Sequence, residues 1–289
     1  MRITNRLGLP DAIVEAVRND PYDPGVGDIT ATGLISPPRQ KELQRRHSTE
    51  LEEDASDRIW ALLGQAVHTI LERAEPSALT EKRLYGHFGD WSISGQFDRL
   101  HVRDGVLQDY KVTNVWSIKD GAKEEWLGQM NILAELCVRN GYGIRRLEVV
   151  ALLRNWSKRE AERTADYPPR QVEVIDIPLW PVEQRIEFIL ERIRLHKAAR
   201  VELPECSEKE RWERAKSWAV MKEGNKRATK VFNMLMTARL FTEEQRGKGR
   251  FEIQERPGEQ VRCESYCSVS RFCEQAKSLG VGAVKEAAA

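Results

Sequence analysis

The chain has 289 residues, 40% hydrophobic and 31% charged, with 46 Lys and Arg against 45 Asp and Glu for a formal net charge of +1. That is apolar material enough for a sizeable core, and the near balance of charge neither demands nor excludes a polyanionic partner, so any basic tract must be local. No apolar run reaches the ~18 residues of a membrane span, and the opening MRITNRLGLPDAIVEAV lacks the apolar stretch of a signal peptide, so a cytoplasmic chain without membrane association is expected.

Residues 1–55 are irregular in pattern, and NDPYDPGVGDITATGLISPPRQ, rich in Gly, Pro and Asp, reads as loop. From Ser56 a helical period sets in, with Ile59, Leu62, Leu63, Ala66, Val67, Ile70 and Leu71 in one apolar stripe, His68 on or beside it, and Ser56 or Asp57 as its cap. Alternation then predicts antiparallel strands near 80–88, 91–102 and 106–113, the last two joined by the turn RDG. KEEWLGQMNILAELCVRNGYG reads as an amphipathic helix, IRRLEVVALLRNW and RQVEVIDIPLW as strands, and PVEQRIEFILERIRLHKAAR as a helix with Pro181 near its first turn. Beyond ELPEC the composition shifts. SEKERWERAKSWAVMKEGNKRATKVFNMLMTARLF reads as mostly helical and basic, RFEIQERPGEQVRC as a hairpin, and the end as a frayed tail. The expected organisation is an N-terminal segment (1–55), a mixed α/β core (56–200), a mostly helical extension with a cysteine cluster (201–275) and a tail (276–289).

Asp109 and Lys111 lie two apart in a strand, so they leave it on one face, and Asp98, across the RDG turn, can join them there. Converging carboxylates favour a hard divalent cation, and a neighbouring lysine can orient water or steady charge on a phosphate oxygen, a combination suited to phosphodiester hydrolysis. By itself an Asp-x-Lys triplet is usually a solvated strand face with a weak ion pair. Likewise, a lone helix histidine such as His68 is more often packed or capped than ligating, and a helix glutamine such as Gln129 is normally solvated. Glu72 and Glu81 are further carboxylates that read first as surface residues.

SGQFDRL followed by GVLQDYKVT resembles motifs II and III of the PD-(D/E)XK nuclease superfamily, with Asp98 as the central Asp and Asp109-x-Lys111 as the (D/E)-x-K. GQAVHTILE resembles the G-x-x-x-H helix of the RecB/Cas4/AddB-like branch, and EEWLGQMNILAEL its Gln-containing helix; together the resemblance covers residues 56–155. It implies a restriction-endonuclease-like core, a mixed central sheet flanked by helices. His68, Asp98 and Asp109 would bind Mg²⁺ or Mn²⁺, Lys111 would serve the attacking water or the transition state, and Gln129 would support that geometry. Leu133 stands where the branch usually carries Tyr, a departure that leaves that role either missing or moved, with Tyr142 as the candidate.

Five cysteines are unevenly placed, and in a reducing compartment clustering points to metal before disulfide. Cys263-x3-Cys267-x5-Cys273 resembles the C-terminal triplet of the same branch, with one residue more between the first two. The resemblance implies a [4Fe–4S] cluster completed by Cys206. Four thiolates hold Zn²⁺ equally well, and spacing alone does not choose. Closing a loop this long would contribute about 3–5 kcal/mol by the chain-entropy argument used for disulfides. Cys137, among Ile132, Leu133 and Leu136, reads as a small buried apolar residue.

Arg211, Lys216, Lys226 and Arg227, interleaved with Trp212 and Trp218, could follow a phosphate backbone, although glutamates dilute the patch. The sequence reading is therefore a metal-dependent deoxyribonuclease of phage exonuclease type, acting on single- or double-stranded DNA ends with a possible recombination or replication partner. The alternatives are a non-catalytic DNA-binding module of the same fold and a sequence-specific endonuclease.

Overall fold

The computed structural model describes residues 2–74, 78–119 and 121–281, and these divide into two compact units, 1–203 and 204–289. The expected tail lies mostly outside the described residues. No described helix is long and apolar enough to cross a membrane.

The first unit runs β1 (Arg2–Thr4), α1 (Asp11–Arg18), β2 (Ile29–Thr30), α2 (Ala31–Ile35), α3 (Pro38–Arg46), β3 (Glu52–Asp54), α4 (Ile59–Glu72), β4 (Leu79–Phe88), β5 (Trp91–His101), β6 (Val106–Thr113), α5 (Glu124–Arg139), β7 (Arg146–Leu153), α6 (Lys158–Ala161), β8 (Val172–Ile177) and α7 (Val182–Val201). Six strands form a mixed sheet in the order β2-β5-β6-β7-β8, with β4 also on β5. The β6–β7 and β2–β5 pairs are parallel, and the others antiparallel. The mixed central sheet with flanking helices is the architecture expected from the sequence.

The core joins Ile93, Phe97, Leu107, Leu147 and Val149 of the sheet to Met130, Ile132, Leu133 and Leu136 of α5 and Ile189 and Ile193 of α7. α5 comes this close because Gly86 and Gly95 carry no side chain: a Cβ on Gly95 would stand 2.6 Å from Leu136 and 2.8 Å from Leu133.

One edge of β5 decides where the site lies. β4 pairs with β5 along nearly its whole length, so β2 and β6 share the other edge: β2 meets Ile93 and Ser94, and β6 meets Arg99 to His101. The stretch between, residues 95–98, carries no ladder on that edge, and the strands open there.

Three expectations change. Residues 29–46 are ordered, because Ala31, Leu34 and Leu43 bury apolar side chains that the Gly- and Pro-rich composition obscures. The turn before α4 is capped by Asp54, which accepts from Ser56 N (3.1 Å), Ser56 Oγ (2.7 Å) and Arg6 N (2.7 Å), rather than by Ser56 or Asp57. The stripe on α4 is not core: that helix has no fully buried residue, and Ile70 is 67% exposed.

The second unit comprises α8 (Glu208–Arg211), β9 (Glu213–Arg214), β10 (Ser217–Lys222), β11 (Ala228–Phe232), α9 (Leu235–Glu244), β12 (Phe251–Arg256), β13 (Glu259–Gln260), α10 (Val261–Ser265) and α11 (Glu274–Ser278). The helix expected through 207–241 is largely replaced by strands: β10 lies between β11 and β12 in a three-stranded antiparallel sheet. Its Lys, Arg, Glu and Ala content favours helix locally, but pairing with β12, distant in sequence, overrides that preference. Nor do β12 and β13 form the hairpin expected at 250–263, since β13 pairs with β9.

Candidate metal and nucleic-acid site

Register places the acidic residues. Thr80 faces Arg99 and Lys82 faces Phe97, which sets Glu81 opposite Asp98; Arg99 faces Gln108, and the same register carried past the opening sets Asp98 opposite Asp109. Facing residues of antiparallel strands share a face, so Glu81, Asp98 and Asp109 form one row across three strands. The next row is Arg83, Gln96 and Lys111. All six line a cleft of about 790 Å³ between the sheet and α4. A recess of about 880 Å³ along α7, lined by Trp180, Phe188 and Leu190, carries no convergent donor set among the described residues.

His68 enters from α4. Its Nδ1 lies 3.2 Å from Glu81 Oε1 and 3.5 Å from Asp98 Oδ1, and donor atoms of these three residues all fall within 4.8 Å of one another. Its Nε2 lies 3.2 Å from the Tyr110 carbonyl oxygen. A carbonyl only accepts, so Nε2 carries a proton, and in the neutral ring Nδ1 offers its lone pair toward the carboxylates. This is how a second hydrogen bond orients a metal-ligating imidazole. The Tyr110 amide donates to Asp98 Oδ2 at 2.6 Å, so one residue of β6 holds both His68 and Asp98.

Asp109 is engaged differently. Lys111 Nζ forms an ion pair with its Oδ2 at 2.6 Å, outside hydrogen-bond geometry, and Gln129 Nε2 donates to its Oδ1 at 3.1 Å. Gln96 Nε2 donates to Glu81 Oε2 at 2.7 Å, and Arg83 donates to Gln96 at 2.8 Å, so the second row braces the first. Glu81 sits at φ 47, a left-handed conformation unfavourable for a residue with a side chain and characteristic of functional sites.

The electrostatics follow from crowding. Burial, and then the Asp109 charge, push Asp98 up to about 7. The Glu81 hydrogen bond raises the His68 pKa against the effect of burial, with Asp98 adding to it. Burial works to lower the Lys111 pKa, but Asp109 and Asp98 more than offset it, so the ammonium holds its proton above the usual lysine range. Asp98, which resists ionising beside Asp109, and the imidazole nitrogen next to it belong to a donor set that a divalent cation would stabilise.

The structure thus brings His68, Asp98, Asp109, Lys111 and Gln129 to one cleft. It adds Glu81, which the sequence reading ranked with surface residues, to the closest donor trio, and leaves Asp109 beside that trio. Glu72 lines the cleft outside the trio. Tyr142 is not in the cleft lining and is bonded to Lys82 at 2.7 Å, while Leu133 is core.

In the second unit, Cys263, Cys267 and Cys273 lie close enough to Cys206 to act on its ionisation. Burial first, then Glu210 and the other three thiols, pushes Cys206 up to about 12. Gln275 fixes the Cys206 backbone, accepting from its amide at 2.8 Å and donating to its carbonyl at 2.9 Å. Among the described residues no three of these sulfurs fall within 4.8 Å of one another. Cys137 is fully buried in the first unit's core. Arg211 is used internally, bonded to Gln260 (2.7 Å), Glu213 (2.5 Å) and the Cys206 carbonyl, so it does not lie open to a phosphate backbone. Lys216 pairs with Glu255 at 3.3 Å, and Lys226 and Arg227 are exposed beside the β10–β11 turn.

No protein-family model matches the sequence, and no curated protein matches it. Among solved structures, the chain is similar to the protein SSO0001, at 16% identity over 66% of this chain and 88% of that one, with a TM-score of 0.45. It is similar to an alkaline exonuclease from Laribacter hongkongensis at 17% identity over 60% and 90%, with a TM-score of 0.37. It is similar also to a phage related exonuclease from Haemophilus somnus 129PT at 13% identity over 67% and 81%, with a TM-score of 0.30. Likenesses this distant do not assign a function, which has to rest on the chemistry of the cleft.

Proposed function

We propose that the first unit is a metal-dependent deoxyribonuclease of the PD-(D/E)XK kind, an exonuclease of the RecB/Cas4-like branch. The observation that carries this reading is the convergence of His68, Glu81 and Asp98 in the cleft that also holds the Asp109–Lys111 ion pair. Mg²⁺ or Mn²⁺ would be held by His68 Nδ1, Asp98 and Glu81, with Asp109 adjoining. When bound, such a cation stabilises charge on phosphate oxygens and lowers the pKa of water.

The chain's own groups supply the rest. Lys111, ion-paired to Asp109, would act as a positive charge toward the phosphate or the attacking water. Gln129 holds Asp109 in place, and Gln96 and Arg83 hold Glu81. Tyr110 fixes the His68 tautomer through its carbonyl. Linear DNA should be degraded with Mg²⁺ or Mn²⁺ and survive in EDTA. Covalently closed circles should resist; their cleavage would favour the endonuclease reading.

We also propose that the four cysteines of the second unit hold a [4Fe–4S] cluster. One zinc ion with Zn–S bonds of about 2.3 Å would draw its sulfurs to within ~4 Å of one another. What supports a shared site is the gathering of Cys263, Cys267 and Cys273 near enough to Cys206 to raise its pKa, and the resemblance of the triplet favours the cluster over zinc. Its part would be structural, tying Cys206 to the C-terminal trio.

A further inference from the structure

Part of the cleft wall is formed by Asp20, Pro21, Tyr22 and Asp23, in a segment (residues 20–25) without regular secondary structure that is nevertheless tied down at both ends. Asp20 accepts from Arg58 (2.8 Å) and from Gln65 (2.8 Å) on α4. The Pro24 carbonyl accepts from Arg83 (3.2 Å) and from Ser94 Oγ (2.7 Å). Two Asx turns stiffen the span, with Tyr22 N on Asp20 at 3.0 Å and Gly25 N on Asp23 at 2.8 Å. Gly25 is at φ +76, and a Cβ there would stand 2.6 Å from the Tyr85 hydroxyl, so only glycine lets the strap lie against β4.

What this strap presents is Tyr22. The side chain lines the cleft that holds the metal donors, yet it is 58% exposed, and the Arg83 guanidinium sits 5.5 Å from its ring centre. Burial does not explain its place. Arg83 donates both to the Pro24 carbonyl and to Gln96, which braces Glu81, so the strap and the donor trio are joined by one hydrogen-bonded chain on which the ring rests through Arg83. A flat aromatic face, backed by a cation and open to a nucleic-acid cleft, matches the π-face of a nucleobase, and stacking of this kind is indifferent to base identity.

We propose that Tyr22, backed by Arg83, is a base-stacking subsite for an unpaired nucleotide next to the metal donors. A base in a duplex is already stacked on its neighbours, so the subsite favours single-stranded or frayed DNA. The inference rests on the nuclease reading for its substrate class but can fail separately.

The test is binding of fluorescein-labelled dT10 and of an abasic chain of the same length, followed by anisotropy with Ca²⁺ in place of Mg²⁺. Wild-type protein should prefer dT10. Tyr22→Ala should weaken dT10 binding about tenfold, the effect expected for one lost base stack, with abasic binding unchanged; Tyr22→Phe should bind as wild type. Unchanged dT10 affinity in Tyr22→Ala, or an equal loss on both probes, overturns the subsite. Hydrolysis of linear DNA by wild-type protein with Mn²⁺ is scored separately. No hydrolysis with the dT10 preference intact would sink the nuclease and leave the subsite standing, and absence of binding to either probe would sink both.

Discussion

Glu81 stands opposite Asp98 across the β4–β5 pair, with His68 Nδ1 3.2 Å from the one carboxylate and 3.5 Å from the other. Glu81 holds this place in a left-handed backbone conformation, which costs about 1–2 kcal/mol for a residue with a side chain. Glu81→Gly removes both that cost and one of three clustered carboxylates. Without metal its melting temperature should equal or exceed that of wild type, while Mn²⁺ affinity measured by calorimetry should fall at least tenfold. Wild-type Mn²⁺ affinity in the variant would exclude Glu81 as a donor.

The pH dependence of the metal-free cleft has a definite sign. Asp98 is pushed up to about 7 in the folded chain, far above an unfolded aspartate, and His68 is raised as well. Groups with raised folded pKa values contribute stability at low pH and lose it as pH rises through those values. Metal takes the deprotonated donors, so binding should release protons. The rise in melting temperature on adding Mn²⁺ should be larger at pH 8 than at pH 5.5; an equal rise at both would contradict the donor assignment.

For His196 the sign reverses. His196 on α7 is buried and donates to the Leu34 carbonyl at 3.0 Å. Burial above all, with Arg192, Lys41 and Arg200 nearby, depresses its pKa to about 4. Its neutral form therefore contributes stability above pH ~6.5 that is lost as pH falls toward 4, about 3 kcal/mol in all. Denaturant melts between these pH values should show a shallower slope for His196→Gln than for wild type.

The cysteine quartet makes a compositional prediction. Protein prepared without oxygen should be brown and contain iron and sulfide. Cys206→Ser should lose both and lower the melting temperature, whereas Cys137→Ser should keep them, because Cys137 lies in the core of the other unit. Colourless protein with one zinc per chain would replace the cluster by a zinc site.

Much of this cleft is legible in the sequence, because its strands are joined by short turns and their alternation is regular. The strands expected near 80–88, 91–102 and 106–113 appear at 79–88, 91–101 and 106–113. Glu81 is the instructive miss. Its composition says surface, but counting back from the Gly89–Asp90 turn puts it opposite Asp98, so register was the available signal. The second unit hides more. Its β10 strand carries Lys, Ala and Met, good helix formers, and is fixed by a partner some thirty residues on that no local pattern announces. The strap of residues 20–25 reads correctly as loop, but its tethering through Asp20 and Pro24 depends on contacts distant in sequence.

The central claim is that this cleft hydrolyses DNA with a metal and with Lys111 as its positive charge. It is tested most directly by comparing wild type and Lys111→Ala on linear DNA with Mn²⁺, with the fold and Mn²⁺ binding of the variant checked alongside. The account predicts degradation by wild type and a loss of at least ~100-fold in the variant, the scale of removing one transition-state charge partner, with Mn²⁺ still bound. Equal degradation by both proteins, or none by wild type, would contradict it.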